Sequence, residues 1–233
     1  GLGDIPAMGA HGCGIATAMS MWLSALLITL YVLTKKSLQQ YMPPLRPVAP
    51  DPTTIKEILT IGAPVGATFF LETAVFAGIA LLVSSLGDVA IGAHQIAFNV
   101  WDMFYIPMLA IGSSMATRMG HALGAQDQQG VFMALKAGIL CSGVISVTTM
   151  IILLLFPTAI VGIYSDSQDI SLLAVRLLSF AALFVIIDAV QIVGSFSMRA
   201  YKKTRFPFIA SMVAYWLIAL PLGYYLGIMN ADN

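Results

Sequence analysis

The sequence predicts an all-α polytopic membrane protein, a helical bundle with about six transmembrane helices. Of its 233 residues, 59% are hydrophobic and only 9% charged, with a mean hydropathy of +0.90. A soluble domain is about a quarter charged because water must wet its surface. Lipid is therefore the solvent this chain is built for. The second observation is run length. Apolar stretches occupy roughly 12–34, 57–86, 90–116, 134–163, 170–198 and 206–228, and each reaches the ~20 residues a helix needs to cross the hydrocarbon layer. Strands of a barrel would alternate in shorter segments. The formal net charge is zero, so membrane lipid is an expected partner and nucleic acid is not.

Taken in order, the first stretch ends at KKSLQQYMPPLRPVAPDP, whose prolines mark a linker. SLGD and YSDSQD read as tight turns after the second and fourth stretches, and RMGHALGAQDQQG as a looser connector after the third. Pro64, Pro107 and Pro221 fall within stretches and read as interruptions. Cys13 and Cys141 lie in apolar segments and are expected as small core residues rather than a disulfide.

The basic residues give the sidedness. Lys35, Lys36, Arg46, Lys56, Arg118, Lys136, Arg199, Lys202, Lys203 and Arg205 all fall on or beside alternate connectors. They therefore share one face, expected to be cytoplasmic. Asp4, Asp88, Asp166, Asp169 and Asp232 fall on the other, with Arg176 nearby. The chain opens on GLGDIP without methionine or a signal-peptide pattern, and its first stretch would enter from the outer side. The expectation is an internal fragment of a larger transporter-like protein.

Three carboxylates interrupt the apolar stretches: Glu72, Asp102 and Asp188. Each costs about 2.5–3.5 kcal/mol near a membrane midplane, so such residues point to an ion or proton site. Spacing groups them with other polar residues. Gln95, Asn99 and Asp102 follow at +4 and +3, with Tyr105 continuing the line; Asp188, Gln191 and Ser195 follow at +3 and +4; Thr68 lies one turn before Glu72. Helices in lipid turn such stripes toward each other or toward a wet cavity, so one polar chamber is expected. Gln95, Asn99, Gln191 and Ser195 would serve equally well as interhelical glue, at about 0.6 kcal/mol per contact. Trp101 and Tyr105 set Asp102 nearer the mouth of its span.

Carboxylates gathered in such a chamber can exchange a proton for a cation, and carboxylate and amide oxygens suit a hard ion such as Na⁺. The expected metal ligands are Glu72 and Asp188. Release of the ion would free the chamber for a cationic organic molecule. No other cofactor is expected: HExxH, CxxC, Walker and GxGxxG patterns are absent, and His11, His94 and His121 lack metal-ligand spacing.

IGAPVGATFFLETAVFAG, GAHQIAFNVWDMFYIPMLAIGSSMATRMGHALGA and LFVIIDAVQIVGSFSMRAYKKTRFPF resemble the multidrug and toxin extrusion (MATE) family, in its NorM-like bacterial branch. The resemblance covers nearly the whole chain. It implies twelve helices in two lobes, of which this chain would supply the sixth to the eleventh. Residues 1–34 would then be the last helix of the first lobe, 35–56 the cytoplasmic inter-lobe linker, and 57–233 an incomplete second-lobe bundle. The first-lobe helices of the same protein would be its partner. The family's second-lobe cation site uses a glutamate on the seventh helix and an aspartate on the tenth, matching Glu72 and Asp188. The eighth-helix glutamine and tyrosine beside it match Gln95 and Tyr105. An acidic residue before the tenth helix that contacts drugs matches Asp166, although its usual acidic neighbour is Ser167 here. Asn99, Asp102 and Gln191 are further candidates for substrate contact, and Asp102 stands where a small polar residue is the family pattern.

The expected function is a multi-pass antiporter of the bacterial inner membrane, exporting organic cations or drugs in exchange for Na⁺ or H⁺. A lipid-linked oligosaccharide flippase of the same superfamily is the alternative, but its cavity would be rich in Arg and Lys for phosphate. An intramembrane enzyme using Glu72 or Asp188 as acid or base has neither a nucleophile–base pair nor a metal set to support it, so no enzyme is expected.

Overall fold

The computed structural model describes residues 9–36 and 49–229. The expectations attached to Asp4, Arg46, Asp232 and residues 37–48 of the linker lie outside the described residues. The chain divides into two compact units, 1–50 and 51–233.

Among its described residues the first unit contains the long helix α1 (Gly9–Thr34). Its apolar residues show no preferred face, and large ones such as Trp22, Met21 and Met19 stand exposed within the unit. Such a helix is suited to lipid or to other helices rather than to water. Thr17 and Thr34 turn their hydroxyls back onto the carbonyls of Cys13 and Leu30, so neither leaves a polar group unmet.

The second unit is a bundle. Asp51 starts it by capping α2 (Pro52–Ser84): its carboxylate accepts from the amides of Thr53 and Thr54, each at 3.1 Å. The Thr54 hydroxyl, followed by those amides, holds the Asp51 carboxyl below its ordinary value. Gly87, at φ 100°, makes the turn into α3 (Asp88–Gly124). Asp127 caps α4 (Gln128–Leu155) through the Gly130 amide. A short α5 (Pro157–Val161) leads to α6 (Gln168–Ala200). The final rod alternates α7 (Arg205–Ser211), a π-helical stretch Met212–Ala219, α8 (Leu220–Tyr224) and a second π stretch Tyr225–Met229. Among the described residues, six helical rods are long and apolar enough to cross a membrane.

Three helices, α3, α4 and α6, form the tight core, with α2 and the final rod paired beside them. The buried face of α6 runs Ala174, Leu178, Ala182, Val185, Ala189, Ile192, steps of three and four that keep one seam inward. Its alanines let backbones approach closely, the usual basis of helix association in lipid. Gly112 admits the Phe196 ring, and Gly138 admits Met115. On α4, Ser142, Ser146 and Thr149 form a buried polar line that the sequence reading missed.

Several expectations need correction. The fourth stretch does not run to 163, because Phe156 leaves helical geometry ahead of Pro157; a proline disfavours helix in the residue before it. RMGHALGAQDQQG is mostly helix, with its turn confined to Ala125–Asp127, because hydropathy marks the hydrocarbon and not the helix end. Pro64 and Pro107 sit inside continuous helices, and the Thr68 hydroxyl donates back to the Pro64 carbonyl at 2.8 Å. Only Pro221 coincides with a change of helix type, entering α8 between the two π stretches. Cys141 is exposed, as is Cys13 within its own unit. In a membrane protein an apolar neighbourhood need not be a core, since the outer surface is apolar too.

One end of the bundle gathers basic residues. Lys202, in the left-handed region at φ 59°, pairs with Glu57 at 2.6 Å, joining the end of α6 to the start of α2. At the opposite end, Gly92 near the start of α3 lies against Ile170 near the start of α6. Both contacts agree with the alternation of the predicted spans.

Candidate functional site

Glu72 projects from the middle of α2, half-buried, and its Oε1 accepts a hydrogen bond from the Ser211 hydroxyl at 3.4 Å. The same rod docks on α2 again through Trp216, whose indole N–H donates to the Leu71 carbonyl at 3.3 Å. Asp188, on α6, is also half-buried. Its Oδ2 accepts from the Trp101 indole N–H of α3 at 2.9 Å. Trp101 stacks on Tyr105 with ring centroids 4.5 Å apart and meets Phe76 of α2 at 5.4 Å. Phe76 is one helical turn beyond Glu72, so the aromatic contact links the helix carrying Glu72 to the side chain holding Asp188.

Tyr105 is the meeting point. Glu72, Asp188, Tyr215 and Arg199 all lie near enough to act on its hydroxyl electrostatically. Beside Asp188 on α6, the Gln191 amide donates to the Tyr215 hydroxyl at 3.1 Å. A groove of about 740 Å³ opens between α6 and the final rod, lined by Asp188, Gln191, Ser195, Ser211 and Tyr215 among others. The predicted line Asp188–Gln191–Ser195 thus faces one space, and the hydroxyl that reaches Glu72 borders it. Carboxylate, amide and phenol oxygens of this kind are the donor set for a hard cation.

The α3 expectations divide. Tyr105 joins the site, but it does not continue the Gln95–Asn99–Asp102 line. Ten residues at about 100° each leave Tyr105 about 80° away from Gln95, on the face of Trp101. Gln95 and Asn99 are exposed, Asp102 is half-buried, and none of the three makes a hydrogen bond among the described residues. Trp101 is the donor that holds Asp188. Asp166 is exposed in the loop before α6. Twenty helical residues separate the start of α6 from Asp188, a rise of about 30 Å, so Asp166 stands apart from the paired carboxylates.

Trp101, Ser211 and Tyr215 were not read as site residues from the sequence. The signal was present in two cases. Ser211 and Tyr215 lie four apart in an apolar run, the spacing already used for α6. Trp101 gave none, since an indole donor announces itself only once its acceptor is known.

Comparison with known proteins places the chain. The MatE family model matches residues 64–225. The chain belongs to the MatE family. Relatives include the multidrug resistance protein NorM of Photobacterium profundum, 35% identical over 225 residues, and that of Vibrio cholerae serotype O1, 36% identical over 225 residues. Each alignment covers 97% of this chain and 49% of the relative. The multidrug resistance protein MdtK of Proteus mirabilis is 38% identical over 226 residues, covering 95% of this chain and 49% of that protein. The chain therefore spans about half the length of these MatE relatives. A solved MOP superfamily transporter from Pyrococcus furiosus shares the fold with a TM-score of 0.65 at 19% identity, over 76% of this chain and 39% of that one. Family membership and the membrane-length helices together make this a multi-pass membrane protein.

The Trp101–Asp188 bond can be tested in isolation. Trp101→Phe retains a ring against Phe76 and Tyr105 but removes the N–H. A hydrogen bond to a charged group contributes about 1.5–3 kcal/mol, so the variant should melt earlier in detergent. In a double-mutant cycle with Asp188→Ala, which removes the acceptor, the two losses should fall short of additivity by more than about 0.5 kcal/mol; additive losses would mean the contact is incidental.

Proposed function

We propose that this chain forms part of a secondary antiporter that exports organic cations in exchange for Na⁺ or H⁺. The observation that carries the reading is the approach of Glu72 and Asp188, from two helices, to Tyr105, with Asp188 lining the groove between α6 and the final rod and Ser211, which donates to Glu72, lining it from the other side. A negative site of this kind in a membrane holds either the driving ion or a cationic passenger, and their mutual exclusion couples the two fluxes. Glu72 and Asp188 are its ion ligands, with Tyr105 and Gln191 supporting. The exposed Gln95, Asn99 and Asp166 and the half-buried Asp102 are proposed as contacts made by substrate or by other helices of the complete protein. The names of the relatives, multidrug resistance proteins of bacteria, support drugs as passengers and a bacterial inner membrane as location. The same reading makes residues 1–34 the last helix of a first lobe, 35–56 the cytoplasmic linker and 57–233 most of the second lobe.

The test uses the protein at its full natural length in lipid vesicles, with efflux of ethidium followed while Na⁺ and pH gradients are imposed independently. Efflux should accelerate with one of the two gradients. Rates no faster under either gradient than with both collapsed would remove the antiport reading.

A further inference from the structure

Arg199 occupies an unusual place. It lies in the last turn of α6, where a cation is favoured by the helix dipole. Its guanidinium does not fold back to solvent but rests on two rings, 4.8 Å from the centroid of Phe69 and 4.3 Å from that of Phe196. Phe69 lies on α2, one turn before Glu72, so the charge is carried across to the helix of the proposed ion ligand. Phe196 is fixed from behind by Gly112, which lets its ring press on α3. Arg199 nevertheless makes no ion pair; among the described residues only Lys202 and Glu57 do. A fixed positive charge therefore rests on a ring one helical turn from Glu72 without taking up that carboxylate's oxygens.

We propose that Arg199 is the resident counter-charge of Glu72: parked on Phe69 and Phe196, it stabilises the empty carboxylate and weakens its hold on an incoming cation enough for release. This rests on the ion-coupled reading above. The physical need is plain. A half-buried carboxylate with no counter-charge would either bind its ion too tightly to turn over or stay protonated. A guanidinium in direct contact would block the site. A guanidinium held nearby by two cation–π contacts, each stronger when shielded from water, does neither. Arg199 thus acts as a positioning residue, through charge, with its distance set by the two rings.

The test is ethidium efflux by the full-length protein in vesicles, with the driving ion, Na⁺ or H⁺, titrated. A unit charge several ångströms away at an effective dielectric of about 20 changes ion affinity by about tenfold or more. Arg199→Gln should therefore lower the half-saturating concentration of the driving ion by about tenfold, with a reduced maximal rate because release slows. Arg199→Lys keeps the charge and should keep an affinity close to that of the unmodified protein. Phe69→Leu frees one face of the guanidinium to approach Glu72 and should shift the half-saturating concentration in the opposite direction. An unchanged affinity in Arg199→Gln, or equal shifts in the Gln and Lys variants, would overturn the proposal.

Should efflux by the unmodified protein respond to neither gradient, the antiport reading fails on its own. The charge pairing is then decided by melting in Na⁺-free detergent. The losses from Arg199→Gln and Glu72→Gln should be less than additive in the double variant, and additivity would overturn the pairing itself.

Discussion

Replacing Glu72 with glutamine should abolish ion-coupled export while leaving the protein folded and in the membrane. Glutamine matches glutamate in shape, and its carbonyl can still accept from the Ser211 hydroxyl, so the contact between α2 and the final rod survives. Only the charge is lost. An interaction with a charged group is worth about 1.5–3 kcal/mol, which corresponds to about a 10–150-fold loss of ion affinity. Driven ethidium efflux should fall to the uncoupled leak, with expression unchanged and the melting temperature lowered only by the loss of the pairing with the Arg199 charge. Efflux at the original rate would show that the driving ion does not use Glu72. Asp188→Asn should behave alike, because the amide oxygen can still accept from Trp101.

The second large effect is on stability. Gly112→Leu places a side chain where even a Cβ would lie 2.7 Å from Phe196 Cδ2 and 2.9 Å from Ile192 Cγ2. Neither neighbour can yield easily. Ile192 is buried in the α6 seam, and Phe196 carries Arg199 on its face. Overpacking of this kind costs about 1–3 kcal/mol, expected as a fall in melting temperature of about 3–10 °C together with lower yield of folded protein. Gly66→Ala, where a Cβ would meet nothing within 4 Å, is the matched control and should melt at or above the original temperature. Equal behaviour of the two variants would mean that α3 and α6 do not meet at Gly112.

The spans and the two acids were legible in the sequence for one reason: lipid makes charge conspicuous. Glu72 in FFLETAVFAG and Asp188 in LFVIIDAVQ stand out because the residues around them are almost all apolar. Their supporting residues were harder to read because they depend on how helices face each other. Tyr105 was found, but on the wrong line. Ten residues of helix accumulate enough rotation to move it from the stripe of Gln95 to the face of Trp101. Arg199 read as one of several basic residues beside a connector, since no pattern along α6 says that Phe69 of α2 lies beneath it. Helix ends suffered from a similar limit. Hydropathy measures where lipid stops, so it missed the extra turns that carry α3 to Gly124 and start α4 at Gln128. The exposed Cys141 was misread because an apolar segment in this solvent has two apolar sides.

All of this depends on Glu72 and Asp188 opening into one water-filled space. Cysteines placed singly at 72 and 188, in full-length protein with Cys13 and Cys141 replaced by serine, can be labelled from water with a membrane-impermeant trimethylammonium thiol reagent. Both positions should react, and ethidium should slow both reactions to the same extent and over the same concentration range. Labelling of only one position, or protection of one without the other, would contradict a shared site.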